Sequence, residues 1–281
     1  VEVHVQGVLT MAKPRVLVLS GQGINCAPET RYCFELAGAD AEIRQTGEVL
    51  ERPAMLEDYK GLAIPGGFPY ADDLGAGTVL ALELQLSATD EMQDFVDSGK
   101  PVLGICSGFQ VLVRAGLLPG GSGKQTVSLL PNNTGRFDDR WIYMEPVESP
   151  CIFTHGLKEY LAEHFPDRRL TLPIRHGEGR FFTWKKVMAG LKKNRQVVLR
   201  YAKPDSGRLE AGRPYNPNGS LGDVAGICNR RGTVFGLMPH PEGYYRRTQH
   251  PRWTRCEYKN LPEEGMGMLF FRNAVEYASR L

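Results

Sequence analysis

Short apolar runs closed by glycine or a polar turn alternate, through the first part of the chain, with stretches in which apolar residues recur at helical spacing. Residues 14–20, carrying Val16, Leu17, Val18 and Leu19, predict a first buried strand. Residues 29–37 predict a helix stopped by Gly38, and residues 41–44 a second strand. A turn over 56–59 leads to a strand over 61–64, residues 83–98 repeat at helical period up to Gly99, and a strand over 101–105 precedes the helical spacing of Phe109, Val111, Leu112 and Val113. Strands that alternate with helices predict a parallel sheet. From about residue 139 to 240 the pattern changes. Strand-like runs at 140–144, 180–184, 196–201 and 224–227 are separated by Pro, Gly and Asn turns, which predicts an antiparallel extension; a further strand covers 233–238 and a helix over 267–281 closes the fold. The fold class is therefore α/β, with a mostly parallel central sheet and an antiparallel extension. Neither an internal repeat nor a low-complexity tract is present.

Composition narrows the class of function without naming one. A chain of 281 residues, 42% hydrophobic, can bury one large core. Its net charge of +2 gives no broad cationic field for nucleic acid, and the basic clusters at 185–193 and 246–255 read as solvated faces. No apolar run approaches the ~18 residues of a membrane span, and the first ten residues lack the charged start and apolar core of a signal peptide. A cytoplasmic protein that meets neither membrane nor nucleic acid is expected.

Chemistry concentrates at two places. Pro101-Val-Leu-Gly-Ile-Cys-Ser-Gly-Phe-Gln110 sets Cys106 where a buried strand turns sharply into a helix. Gly104 and Gly108 flank it at the spacing of a nucleophile elbow, where the backbone is strained and the nucleophile must stand clear of its neighbours. The first amides of the helix, Ser107 among them, then face the space above the sulfur, where an oxyanion would develop. The other cysteines, Cys26, Cys33, Cys151, Cys228 and Cys256, have neither the glycine frame nor a C-x-x-C spacing, so they read as inert, with no zinc site or disulfide framework.

The second place is His240-Pro-Glu242, after the apolar strand 233–238. Proline biases His240 toward an extended backbone, so side chains two apart can project to one side and meet. A carboxylate on one ring nitrogen fixes the tautomer that turns the other toward a thiol, the logic of a nucleophile, base and orienter. His155, His164 and His250 have no such partner in sequence and read as structural.

With both segments in view, the sequence resembles the class I (triad) glutamine amidotransferases, whose signatures are G-x-C-x-G-x-Q and H-P-E. The likeness runs across nearly the whole chain. Gly23-Ile-Asn-Cys26, Ile64-Pro-Gly-Gly-Phe68, Gly104-Ile-Cys-Ser-Gly-Phe-Gln110, His176-Gly-Glu-Gly-Arg180, Tyr215-Asn-Pro-Asn-Gly-Ser220 and Gly236-Leu-Met-Pro-His-Pro-Glu242 look, in that order, like the glutaminase-subunit family of phosphoribosylformylglycinamidine synthase. The resemblance implies a flavodoxin-like three-layer sandwich. It implies Cys106 as nucleophile, His240 as general base and then acid, Glu242 as orienter, and the amides of Gly67 and Ser107 as the oxyanion hole. Phe68, Gln110, Arg175 and His176 are carried over as substrate-binding residues. Met11, followed by Ala-Lys-Pro and a strand, looks like the family's start, so residues 1–12 are read as an N-terminal extension and 13–281 as a single domain. Two positions depart from the family's pattern: Ser107 stands where Asn is usual, and Gly243 where Arg follows H-P-E. The segment 244–262 also looks longer than the family's connection.

Two glycine-rich stretches are decoys. Gly21-Gln-Gly-Ile-Asn25 lacks the third glycine of a dinucleotide fingerprint, and Gly120-Gly-Ser-Gly-Lys124 lacks the first glycine and final Ser/Thr of a P-loop. No cofactor is expected in this chain. Any ATP and Mg2+ belong to the partner the resemblance implies, a large ATP-using synthetase subunit accompanied by a small accessory subunit. Glutamine would be hydrolysed to glutamate and ammonia, and the ammonia passed to the synthetase for purine synthesis. Three alternatives stay open: a glutaminase serving another synthetase, a thiol hydrolase on a similar scaffold, and a non-catalytic subunit.

Overall fold

The computed structural model describes residues 12–120, 123–165, 167–204, 211–255 and 261–281. Residues 1–11 of the expected 1–12 extension lie outside the described residues, as does Cys256. Strand β1 (Arg15–Ser20) is buried from Val16 to Leu19 because both of its faces are covered, which is why its sequence is an unbroken apolar run. Helix α1 (Ala27–Leu36) opens two residues ahead of the sequence expectation, since Pro28 fits the first turn, and Gly38 at φ +100° ends it. Strand β2 (Asp40–Gln45), helix α2 (Thr46–Glu51) and β3 (Gly61–Ile64) follow.

The single helix expected over 83–98 is two helices, α3 (Thr78–Ser87) and α4 (Thr89–Asp97). They meet at Ala88, fully buried and non-helical at φ −146°, ψ 26°. The start of α3 was obscured in sequence by the exposed Leu82 and Leu86, which blur the buried stripe of Leu80, Ala81 and Leu84. Strand β4 (Val102–Ile105) then delivers helix α5 (Ser107–Arg114), buried from Ser107 to Val113.

The remainder comprises β5 (Val127–Pro131), β6 (Asp138–Pro146), α6 (Leu157–His164), β7 (Leu170–His176), β8 (Glu178–Thr183), α7 (Lys185–Lys193), β9 (Val197–Tyr201), a single turn α8 (Gly212–Tyr215), β10 (Val224–Cys228), β11 (Val234–Leu237) and α9 (Met268–Ala278). The basic cluster at 185–193 is α7 itself, which buries only Met188 and Leu191 and turns most of its lysines outward. So narrow a stripe gives little periodic signal in sequence.

Nine strands form one sheet in the order β2-β1-β3-β4-β11-β10-β9-β6-β7. The first five are parallel and the pairings from β11 to β7 are antiparallel, so the parallel block and the extension share one sheet. Strands β5 and β8 pair separately. Neighbouring residues of β11 show the layers: Phe235 stacks on Phe270 of α9, whereas a β-carbon on Gly236 would lie 2.0 Å from Phe109 of α5. Helices α1 and α9 pack together on one face and α3 and α5 on the other. The parallel strand order is that of flavodoxin-like folds, whose ligands sit at the carboxyl ends of the strands.

Candidate active site

The loops after β1, β3, β4 and β11 converge at those carboxyl ends. At the end of β4, Cys106 adopts φ 53°, ψ −108°, a strained conformation for a residue with a side chain. Its N–H donates to Leu237 O of β11 at 2.8 Å, and its thiol faces Arg175 O at 3.7 Å. The glycine frame acts through close approach: a β-carbon on Gly108 would stand 1.8 Å from Ile64 O, and one on Gly104 2.5 Å from Leu112 Cδ1. Ser107, first residue of α5, is buried with its hydroxyl toward Pro65 O at 3.5 Å, and its amide belongs to the helical turn that has no carbonyl partner within the helix.

His240 and Glu242 do meet. His240 Nδ1 and Glu242 Oε1 are 2.5 Å apart, with both side chains 3% exposed. What brings them together is a 3-10 turn over Pro241–Gly243, with His240 extended just before it, rather than strand-like alternation. Burial disfavours a charge on the ring, but the Glu242 carboxylate and the neighbouring Cys106 and Cys26 thiols outweigh it and hold the imidazole well above its usual range. Both thiols lie close enough to interact with the ring, yet Nε2 is buried without a hydrogen-bond partner of good geometry. Catalytic hydrogen bonds are often long or poorly aligned in the absence of substrate. Gly66 fits between ring and nucleophile, since a β-carbon there would be 2.7 Å from His240 Cε1 and 3.3 Å from Cys106 Cβ.

The turn after β3 is zipped to the loop after β1. Cys26 N–H donates to Gly66 O at 3.1 Å, Phe68 N–H to Gly23 O at 2.7 Å and Tyr70 N–H to Gln22 O at 3.2 Å. Gly67 is pressed so closely on that loop that a β-carbon would sit 2.3 Å from Gly23 O. Beyond it, Tyr70, Ala71, Asp72 and Leu74 all have left-handed φ, an unusual run for residues with side chains. Asp72 Oδ1 is buried without a partner; burial, then the Glu178 carboxylate, raise the Asp72 carboxyl to about 6.

The far edge strand β7 returns over the site: His240 N–H donates to Pro173 O at 2.9 Å, and Arg175 O faces the sulfur. Its two expected substrate contacts differ in placement. The Arg175 side chain is exposed, whereas His176 is 3% exposed with Nδ1 3.1 Å from Asn132 Oδ1. Burial, then the charge on His240, push His176 down to about 3, so it stays neutral. The Gln110 amide is engaged by Glu178 O at 2.9 Å, tying α5 to β8. Phe68 stands 44% exposed beside Phe137 at the rim. A side chain at Gly243 would begin 2.8 Å from the Pro173 ring and 3.6 Å from the Arg175 guanidinium, so Arg175 approaches the space that a side chain at 243 would occupy. Segment 244–262 is rooted in the fold through buried Tyr244 and His250, which both pack on Trp141; its residues 256–260 lie outside the described residues.

One residue read as inert in sequence belongs to the site. Cys26 is buried against His240, and one ligand atom each from Cys26, His240 and Glu242 lie within 4.8 Å of one another. Nothing in the spacing of Cys26 announced this, because the contact is made across two loops.

Over residues 13–278 the chain matches the CobB/CobQ-like glutamine amidotransferase domain. It is 42% identical to a phosphoribosylformylglycinamidine synthase subunit PurQ of Dehalococcoides mccartyi, over 96% of this chain and 100% of the relative. It is 38% identical to a subunit of the same name from Methanococcus maripaludis, over 95% and 98%. Among solved structures, a chain of PurLQS from Thermotoga maritima superimposes with a TM-score of 0.68 at 29% identity, covering 94% of this chain and 99% of that one. A glutamine amidotransferase from Thermotoga maritima, at 20% identity and a TM-score of 0.53 over 96% and 99%, shares the fold.

Proposed function

The chain belongs to the CobB/CobQ-like glutamine amidotransferase family, and on that premise we propose that Cys106, His240 and Glu242 are the triad with which it hydrolyses glutamine. Within the family it is a glutaminase subunit of phosphoribosylformylglycinamidine synthase, an amidotransferase of purine biosynthesis. The observation that carries the triad is the buried 2.5 Å His240–Glu242 pair set beside a cysteine on a left-handed elbow.

Cys106 attacks the carbonyl carbon of the glutamine side-chain amide, and its proton passes to His240. Glu242 holds Nδ1, so Nε2 does the proton transfer and the resulting imidazolium is stabilised by the carboxylate. The tetrahedral oxyanion lies toward the amides of Gly67 and Ser107. His240 then protonates the leaving nitrogen, ammonia departs, and a glutamyl thioester remains on Cys106. Water, deprotonated by His240, hydrolyses the thioester to glutamate and restores the thiol. The exposed Arg175 guanidinium provides a charge for the substrate's carboxylate, and Phe68 with Phe137 forms an apolar rim.

Ammonia released to neutral water becomes ammonium and is no longer a nucleophile, so its product is useful only when passed along a dry path. The chain accordingly works as one subunit of a larger enzyme. The recipient in this reading is a large synthetase subunit that uses ATP and Mg2+ to convert formylglycinamide ribonucleotide to the amidine, assisted by a small accessory subunit. This reading also places residues 13–281 in one domain, working in the cytoplasm. No helix among the described residues is long and apolar enough to cross a membrane.

The deciding experiment measures glutamate release and amidine synthesis with wild type and Cys106→Ala, each combined with the synthetase. Glutamine-dependent turnover is expected to fall by on the order of 10³-fold or more in the variant, with synthesis from added ammonium retained. Glutamine-dependent synthesis that survives Cys106→Ala refutes the triad.

A further inference from the structure

Cys26 is a buried thiol at the active centre that glutamine hydrolysis does not use. Its backbone is fixed by the bond to Gly66 O, while its sulfur lies 3.6 Å from Asn25 Oδ1 and beside the His240 ring. A buried cysteine ordinarily serves as a small hydrophobe, but this one lies against an imidazole and a carboxylate instead. The trio of Cys26, His240 and Glu242 is the one group among the described residues with metal-ligand spacing. Two of its polar atoms are also orphaned: His240 Nε2 and Glu242 Oε2 are buried with no hydrogen-bond partner. We propose that Cys26, His240 and Glu242 form a binding site for a thiophilic divalent cation of the zinc class, and that filling it shuts off the triad.

Sulfur, imidazole nitrogen and carboxylate oxygen are the donors that zinc accepts, at roughly 2.0–2.3 Å in a tetrahedron. With one ligand atom of each within 4.8 Å of the others, the trio supplies three ligands to one ion once Glu242 gives up its bond to His240 Nδ1, leaving the fourth position to water or to Cys106. Hard cations such as Mg2+ and Ca2+ favour six or more oxygen ligands and are poorly served by this set. A thiolate and a carboxylate together neutralise a dication, so the filled site carries no net charge into a buried place. On binding, the thiol proton and any proton on the imidazole leave to solvent, and the cation keeps its oxidation state. The ion then holds the imidazole that would move protons and the carboxylate that orients it. Binding follows from this geometry alone; only the inhibitory consequence rests on the roles given to His240 and Glu242 above.

The test reads binding directly, so that its outcome is separable from any loss of glutaminase activity. Zn2+ is dialysed against the full chain, and Cd2+ is titrated with its thiolate charge-transfer absorbance as signal, in wild type, Cys26→Ser and Cys106→Ala. One cation per chain is expected at this site. The Cd–thiolate band should persist in Cys106→Ala, drop in Cys26→Ser by the amplitude of one thiolate, and Zn2+ affinity should fall at least tenfold in Cys26→Ser. In the complete enzyme, Zn2+ inhibition of glutamine-dependent synthesis should be at least tenfold weaker in Cys26→Ser, each rate taken relative to the same variant without metal. No saturable binding to wild type, an undiminished band in Cys26→Ser, or a band lost in Cys106→Ala overturns the proposal; the last would leave the metal on the nucleophile alone.

Discussion

Replacing Gly66 by alanine tests the geometry of the triad without removing any of its members. Gly66 has no left-handed φ, so alanine meets no backbone penalty there. The new methyl carbon would lie 2.7 Å from His240 Cε1, about 0.7 Å inside the 3.4 Å of ordinary contact, and 3.3 Å from Cys106 Cβ, which is only slightly tight. The imidazole is therefore the group that must move. Its Nδ1 is fixed at 2.5 Å to Glu242, and the ring is almost fully buried. A shift of this size strains the carboxylate bond or carries Nε2 away from the sulfur. Since ~1 Å of misplacement removes about 10²-fold in rate, kcat should fall roughly 10- to 100-fold, about 1.4–2.7 kcal/mol in the barrier. The assay is steady-state glutamate formation in the assembled enzyme, with synthesis from ammonium as the control for an intact partner and thermal unfolding as the control for the fold. KM for glutamine should change much less than kcat. A variant whose kcat stays within twofold of wild type would refute the claim that Gly66 sets the ring against the thiol.

Glu242→Gln keeps the shape of the orienting group and removes its charge; a charge-assisted hydrogen bond of about 1.5–3 kcal/mol is weakened, so kcat should drop roughly 10- to 150-fold. Because the carboxylate is what holds the His240 imidazolium above its usual range against burial, and His240 must be unprotonated to take the Cys106 proton, the acid limb of the pH–rate profile should move to lower pH, and an unmoved limb counts against that assignment. Asp72→Asn addresses stability. The folded Asp72 carboxyl titrates near 6 against a reference of 3.8, so as pH rises from 3.8 to about 6 the folded state progressively loses stability to the unfolded one. The variant should therefore melt higher than wild type at pH 8 and show no such gain below pH 3.8; an equal shift at both pH values rules the titration out. Gly108→Ala sets helix propensity against packing. Alanine gains about 1 kcal/mol in a helix, but its β-carbon would stand 1.8 Å from Ile64 O, and overpacking against fixed backbone costs about 1–3 kcal/mol or more. The melting temperature should fall, and a rise would show that the elbow is not closed so tightly.

The strands of the parallel half were legible because they are buried on both faces: β1, β3 and β4 sit close to where their apolar runs placed them. The elbow was equally legible, since Gly104 and Gly108 are required by contacts within one strand, one turn and one helix and the neighbouring carbonyl of Ile64. Less could be read where the structural signal is thin or non-local. Helix α7 buries only two side chains, the break at Ala88 falls at a residue whose type does not mark a helix end, and β5 exists through its pairing with β8.

By itself, then, the sequence determined the chemistry available: a cysteine held at a strand-to-helix corner, a histidine with a carboxylate two residues on, and a glycine pair after β3. Local covalent geometry and short-range packing settle those features, and they leave an imprint of residue type and spacing. Tertiary structure decided what those groups face. The sheet carries β7 back over the carboxyl ends so that Pro173 and Arg175 bond the His240 turn and face the Cys106 thiol, and the zipper between the loops after β1 and β3 sets Cys26 against His240. These contacts join residues far apart in sequence through backbone carbonyls and amides, which every residue has, so no pattern of side chains could have encoded them visibly.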